Sequence, residues 1–203
     1  MVLFLFAATA PAFAATAEVL KNEKVVVSEE TLAPGEQEKL AEKHTSMVVV
    51  LNGESMRAVL ADGTTYRPMV QRGNTFTMPA QEMTIFNDGR SKLQLVRVEF
   101  LTAGSAETWG RTGLAPKYKL LFEDRYSRTY DIRIAAHQWE PQHTHHARVV
   151  VCLSGAKLEH VLPDGSIQPS TLKTDEVAWR LGQTHRGHNL GDTDLWVIAI
   201  EPK

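Results

Sequence analysis

One cysteine, Cys152, stands in a chain of 203 residues. A single thiol closes no internal disulfide, which excludes a disulfide-stapled scaffold and a cysteine-rich zinc module. Charge of one sign is also missing: 22 Lys and Arg face 24 Asp and Glu, a net charge of -2. The chain therefore lacks the basic footprint that a nucleic-acid partner needs. With 43% hydrophobic and 23% charged residues it has the makings of a core, so disorder is excluded. No apolar run reaches the roughly 20 residues that cross a bilayer as a helix.

The longest uncharged apolar stretch begins MVLFLFAATA (Met1–Ala10) and leads through Pro11 to Ala12-Phe13-Ala14, a small-x-small pattern. That is the core and cleavage site of a secretory signal peptide over residues 1–14, although no Lys or Arg precedes it. A buried N-terminal strand is the rival reading. Cleavage after Ala14 predicts a mature chain from Ala15, periplasmic or secreted, with no stable membrane insertion. Export with one thiol suits a bacterial periplasmic protein.

The remainder reads as β-structure. Short Val/Ile/Leu/Thr runs are punctuated by Asn52-Gly53, Asp62-Gly63, Asp88-Gly89 and Asp164-Gly165, dipeptides that tolerate the positive φ of tight hairpins. Turns about ten residues apart suggest a sandwich or barrel. A short helix over Glu36–Lys43 fits the residues but is not required.

An internal repeat organises the chain. VVVLNGESMRAVLADGTTY (Val48–Tyr66) matches VVCLSGAKLEHVLPDGSIQ (Val150–Gln168) without a gap, at an offset of 102 (150 − 48). The register continues downstream, with Asn87 on Asn189, Gly89 on Gly191, Leu93 on Leu195 and Glu99 on Glu201. Two such units predict a duplicated domain. The halves are expected at 15–102 and 118–203, with the Gly/Ala/Ser-rich Ala103–Lys117 as linker.

Seven of the eight histidines follow residue 136. His143 and His145, two apart, present both imidazoles on one face of a strand. His185, from a distant strand, can complete a facial set. Neutral imidazole suits Fe, Zn, Cu, Ni and Mn, so the set selects no single metal. Three protein ligands with open positions are the arrangement of a catalytic site rather than of a closed structural one.

Here the sequence resembles the cupins, small β-barrels of the jelly-roll type. Pro141-Gln142-His143-Thr144-His145 followed by Gly155 resembles their first motif, G-x5-H-x-H-x3,4-E-x6-G. Gly182-Gln183-Thr184-His185 followed by Asn189 matches the G-x2-H-x3-N of their second, while the leading Gly and Pro are replaced near Asp175 and at Arg180. The resemblance covers the C-terminal half well and reaches the N-terminal half through the repeat. It implies an all-β bicupin, two tandem cupin domains, of which the C-terminal one is similar to small bacterial single-domain cupins. It also implies one divalent metal ion (Fe, Zn, Mn or Ni) on His143, His145 and His185. The family's glutamate ligand would fall at Val149 or Val150, so a three-His set remains, as in some cupin dioxygenases. The offset sends the three ligands to Ala41, Lys43 and Met83. The N-terminal half is thus expected to hold no metal in the usual way.

The other candidates are expected to be structural. His146 points away from its neighbours and aligns with His44. His188 is expected to pack or to line the mouth. His137 and His160 are expected at the surface, Cys152 in the core. Arg148 and Arg180 have the fork that suits a substrate carboxylate, though a solvated face is the expectation for both. Trp139, Trp179 and Trp196 are expected in the core or pocket wall, with Trp109 in the linker. The predicted activity is metal-dependent chemistry on a small organic molecule: an oxidoreductase of the three-His dioxygenase kind with Fe(II), or isomerase or lyase chemistry with Zn, Mn or Ni. The alternative is a non-catalytic small-molecule-binding protein. A homodimer stays open.

Overall fold

The computed structural model describes residues 14–104 and 118–203. The expected signal segment up to residue 13, most of the expected linker and Trp109 lie outside them. Among the described residues there are strands and no helix. The first half contains β1 (Ala15–Lys21), β2 (Val25–Leu32), β3 (Gln37–Ala41), β4 (Ser46–Asn52), β5 (Met56–Leu60), β6 (Thr65–Tyr66), β7 (Thr75–Met78), β8 (Glu82–Asn87) and β9 (Leu93–Phe100). The second contains β10 (Tyr118–Glu123), β11 (Ser127–Ile134), β12 (His143–His145), β13 (Arg148–Ser154), β14 (Ala156–Val161), β15 (Ile167–Leu172), β16 (Val177–Arg180), β17 (Gln183–Asn189) and β18 (Leu195–Pro202).

The repeat is real in three dimensions. β2, β4, β7 and β9, shifted by 102 (127 − 25), coincide end for end with β11, β13, β16 and β18. Each half forms a five-stranded and a four-stranded sheet in the same order. They are β1-β2-β9-β4-β7 with β3-β8-β5-β6, and β10-β11-β18-β13-β16 with β12-β17-β14-β15. The segment open to a helical reading is β3, an antiparallel partner of β8. Gln37–Ala41 has too few residues and too little apolar periodicity to form a helix that covers its own backbone groups; the sheet supplies the partners.

Side chains two apart share a face, and this divides the core into three layers. Met47, Val49 and Leu51 of β4 join Val149, Val151 and Leu153 of β13 in a cluster between the two five-stranded sheets. Val48 and Val50 point the other way, into the first half. Val150 and Cys152 point into the second. Both five-stranded sheets are thus buried on both faces, which is why β4 and β13 read as unbroken apolar runs rather than as alternations. Cys152 is fully buried, as expected, and burial pushes its thiol up to about 11.

The turns follow the repeat too. Gly63 and Gly165 adopt φ of +85° and +84°. Beside them Asp62 and Asp164 accept hydrogen bonds from the backbone of Thr64 and Ser166. Gly53 and Gly89 do not take a positive φ. Gly53 is needed for space instead: a Cβ there would come within 2.9 Å of Leu93.

The two interiors differ. In the first half Arg97 donates from Nε to Glu30 and from Nη1 to Glu42 at 2.7 Å, with all three side chains buried. The offset places Ile132, Ala199 and Thr144 at these positions in the second half. Ile132 and Ala199 line a cavity of about 520 Å³ there. An ion cluster stands in the first half where the second has open space, and the first half keeps a smaller cavity of about 240 Å³ beside Ala58, Phe76 and Met83.

Candidate metal centre

β12 pairs antiparallel with β17 so that His143 faces His185 and Thr144 faces Thr184. The threonines point outward and their hydroxyls meet at 2.8 Å. His143, His145 and His185 point inward and are 2%, 4% and 2% exposed. One nitrogen of each lies within 4.8 Å of the others. The structure therefore brings together the three residues singled out from the sequence. It also places Val150 in the cavity wall and Val149 in the layer between the halves.

The hydrogen bonds fix how these rings present themselves. His143 Nδ1 lies 2.8 Å from the Pro141 carbonyl, which only accepts. The proton is therefore on Nδ1, and the Nε2 lone pair faces the cluster. His185 Nδ1 meets Gln183 Oε1 at 3.2 Å with the same consequence. His145 Nδ1 has no hydrogen-bond partner, and the buried Glu201 carboxylate stands 3.6 Å away. A carboxylate behind the far nitrogen is the usual support of a metal-bound histidine. Burial, first of all, lowers the proton affinity of every ring here. His143 and His145 are shifted down, and His185 falls to about 3.

A divalent ion with bonds of about 2.0–2.1 Å to imidazole sets neighbouring ligand atoms about 3.0–3.4 Å apart. His143 Nε2 and His145 Nε2 are 3.1 Å apart. The Tyr118 hydroxyl lies 2.9 Å from the first and 3.2 Å from the second. The spacing of these two imidazole nitrogens is that of adjacent ligands, His185 brings a third nitrogen within 4.8 Å of both, and three imidazoles suit a borderline metal. The residues fit a divalent ion.

Four neighbours of this cluster depart from or escape the sequence reading. His160 is not at the surface: its ring lies 4.4 Å from that of His185, and burial lowers it to about 4. Its repeat partner Ala58 (160 − 102) lies inside the first half, a signal the sequence held. Arg148 is not on a solvated face: it is 8% exposed and lines the cavity, while Arg180 lines the same cavity half-buried. Arg148 lies two residues from Val150, on the same face of β13. Tyr118 and Glu140 carry no motif, yet Tyr118 Oη lies 3.4 Å from Glu140. Their repeat partners Thr16 and Glu38 make the same contact at 2.6 Å.

The remaining histidines stand apart. His188 stacks on Trp139 at 4.0 Å and pairs with Glu159 at 3.0 Å. Trp139 is 41% exposed rather than in the core or the pocket wall, Trp179 lines the cavity, and Trp196 packs against the layer between the halves. His137 is exposed, beside Asp192. His146 donates its backbone N–H to Glu201, and His44 bonds to Glu99, the repeat partner of Glu201.

No protein-family model and no curated protein matches the chain. Solved structures do. A cupin 2 conserved barrel domain protein from Leptotrichia buccalis aligns over 97% of this chain and 92% of its own, at 14% identity and a TM-score of 0.62. AerE from Microcystis aeruginosa aligns over 94% and 98%, at 14% identity and 0.65. Oxalate decarboxylase from Bacillus subtilis aligns over 93% and 71%, at 13% identity and 0.65. At such identities the likeness speaks for architecture alone. The chain is an all-β protein of the cupin fold.

Proposed function

We propose that this protein is a bicupin whose C-terminal domain (118–203) holds one divalent ion on His143, His145 and His185 and acts there on a small organic molecule. The observation that carries the reading is the convergence of three buried imidazoles, one nitrogen of each within 4.8 Å of the others, with the His143 and His185 tautomers fixed from behind by Pro141 and Gln183. A bound ion would supply Lewis acidity or, as Fe(II), redox chemistry with O2; three ligands leave positions for both substrate and O2. The chain's own part is to hold the rings neutral, to shield them behind β12 and β17, and to offer the Tyr118 hydroxyl as a proton donor beside the ligands. Ile132, Ile134, Leu158 and Leu195 keep water from the substrate body. An oxidoreductase of the three-His dioxygenase kind is the activity this ligand set favours.

Metal analysis of freshly purified protein tests the proposal. About one ion per chain is expected. His143→Ala with His145→Ala should remove it, and Lys43→Ala should leave it. Two ions per chain, or retention in the double variant, would overturn the assignment. Iron would select the oxygenase. The second reading, a binding protein without catalysis, is favoured by the Tyr118 hydroxyl, which lies within hydrogen-bond distance of two ring nitrogens and donates its one proton to either; protein that never takes up metal would establish it.

Export is proposed as well, to the periplasm or beyond. β1 starts at Ala15, so cleavage after Ala14 would leave every described strand intact. Protein from the native cell should begin within a few residues of Ala15 by mass spectrometry. An intact Met1 would refute this.

A further inference from the structure

Arg148 is the least explained residue of the cavity. It is 8% exposed, and among the described residues its hydrogen bonds are two long ones from Nη1, to the carbonyls of His146 at 3.3 Å and Leu181 at 3.4 Å. No carboxylate among the described residues comes within ion-pair distance of it. A guanidinium presents five N–H donors; the Glu201 and Glu140 carboxylates act on this one from beyond ion-pair distance, and a buried charge without a direct partner is costly. A second cation makes this worse. Arg148 and Arg180 are direct cross-strand partners on β13 and β16, and both line the same cavity. Like charges placed opposite one another destabilise a sheet. Among the described residues Arg180 has a loose contact with Glu176, at 4.0 Å.

The repeat supplies an internal control. The same register position in the first half pairs Ser46 with Met78, and neither is charged. The fold therefore does not require two arginines there. They occur in the half that has the histidine cluster and the open cavity.

We propose that Arg148, assisted by Arg180, is the anion-binding group of the C-terminal cavity, and that its ligand is a small carboxylic acid with an apolar body. The fork of Arg148 takes the carboxylate in paired hydrogen bonds. The body lies against Ile132, Ile134, Leu158, Leu172 and Leu195, which line the same space. A volume of about 520 Å³ admits an acid well beyond the two-carbon size. This deepens the proposed function by naming the substrate class, and rests on it only in placing ligand and metal in one cavity.

The test is calorimetric titration of metal-free and zinc-loaded protein with benzoate, phenylacetate, 3-phenylpropanoate and 4-phenylbutanoate, each beside its neutral amide. The best acid should bind ~10–100-fold tighter than its amide, the worth of a charged hydrogen-bond pair. That preference should appear with and without zinc. Arg148→Met should abolish it while leaving zinc uptake intact, Arg180→Met should reduce it, and Arg148→Lys should keep part of it. Should Arg148→Met fail to fold, the acid–amide comparison in the wild type and the lysine variant still decide. Equal binding of acid and amide, no binding of any acid at millimolar concentration, or a preference that survives Arg148→Met would overturn the proposal. So would a preference seen only with zinc, because the metal would then be holding the carboxylate. If zinc does not bind but the preference stands in metal-free protein, the metal reading fails and this one holds.

Discussion

Single buried polar side chains set much of this structure. Asn189 donates from Nδ2 to the carbonyls of Ile134 at 3.0 Å and Thr193 at 2.9 Å, and accepts from the Gly191 N–H at 2.9 Å. Asn87 repeats the bonds one barrel earlier, to Leu32, Ser91 and Gly89. The asparagine of the histidine motif thus clamps a turn and is not a ligand. Asn189→Ala should cost about 2–3 kcal/mol, because buried carbonyls lose their donor; a urea midpoint at the wild-type value would refute this. The histidines make a second prediction. His160 and His185 sit at about 4 and about 3 when folded, against 6.5 for the free ring. Between those limits the unfolded chain binds more protons, so stability is full above pH 6.5 and is lost as pH falls. Each such ring contributes a slope of up to about 1.4 kcal/mol per pH unit. Denaturant midpoints of metal-free protein should fall steadily from pH 7 to 4, and His160→Ala should flatten the decline. His143 and His145 are legible from their spacing, and His185 joins them through the motif of the resemblance. His160 is legible only through its apolar repeat partner Ala58, and Tyr118 is not legible, its repeat partner Thr16 being polar and exposed, because a lone residue announces its face solely by the strand it belongs to.

For a strand, register decides everything. β13 runs between β16 and β18 with Val149 opposite Trp179 and Ile200, and Val150 opposite Ala178 and Ala199. The sequence leaves open which valine takes the family's glutamate position, since an unbroken apolar run has no visible inner face. Packing answers it: Val150 borders the cavity, and Val149 is sealed between the sheets. Val150→Glu should fold, its carboxylate facing the space that Arg148 also lines, and should tighten zinc binding if it reaches the ion. Val149→Glu should unfold the protein, as an unpaired carboxylate buried in a hydrocarbon layer. Circular dichroism and melting of the two variants check this. Similar melting temperatures would mean that the register is wrong. β3 shows the opposite limit, where Gln37–Ala41 carries so little pattern that only pairing with β8 defines it.

For the molecule as a whole, the layer between the sheets is the dominant structure. Val25, Val98 and Phe100 from one half meet Val151, Ile198 and Ile200 from the other. Arg72 crosses the same boundary, donating to Leu153 O and to Asp175 at 2.6 Å. Ile198→Ala should cost about 2–5 kcal/mol and should lower one shared transition rather than one of two; two resolved calorimetric peaks would contradict this. The duplication is legible in the sequence because an ungapped offset survives in the turns. The pairing of the halves is not, because residues facing another barrel and residues facing their own interior are equally apolar. The shared layer also bears on inheritance. Once the sheets had closed on each other, neither copy could be deleted without exposing a hydrocarbon face to water, even a copy whose own interior is plugged by Arg97, Glu30 and Glu42. The first half is thereby a cover for the second, which leaves its interior free to vary and holds the five-stranded sheet that faces its partner to a matching surface.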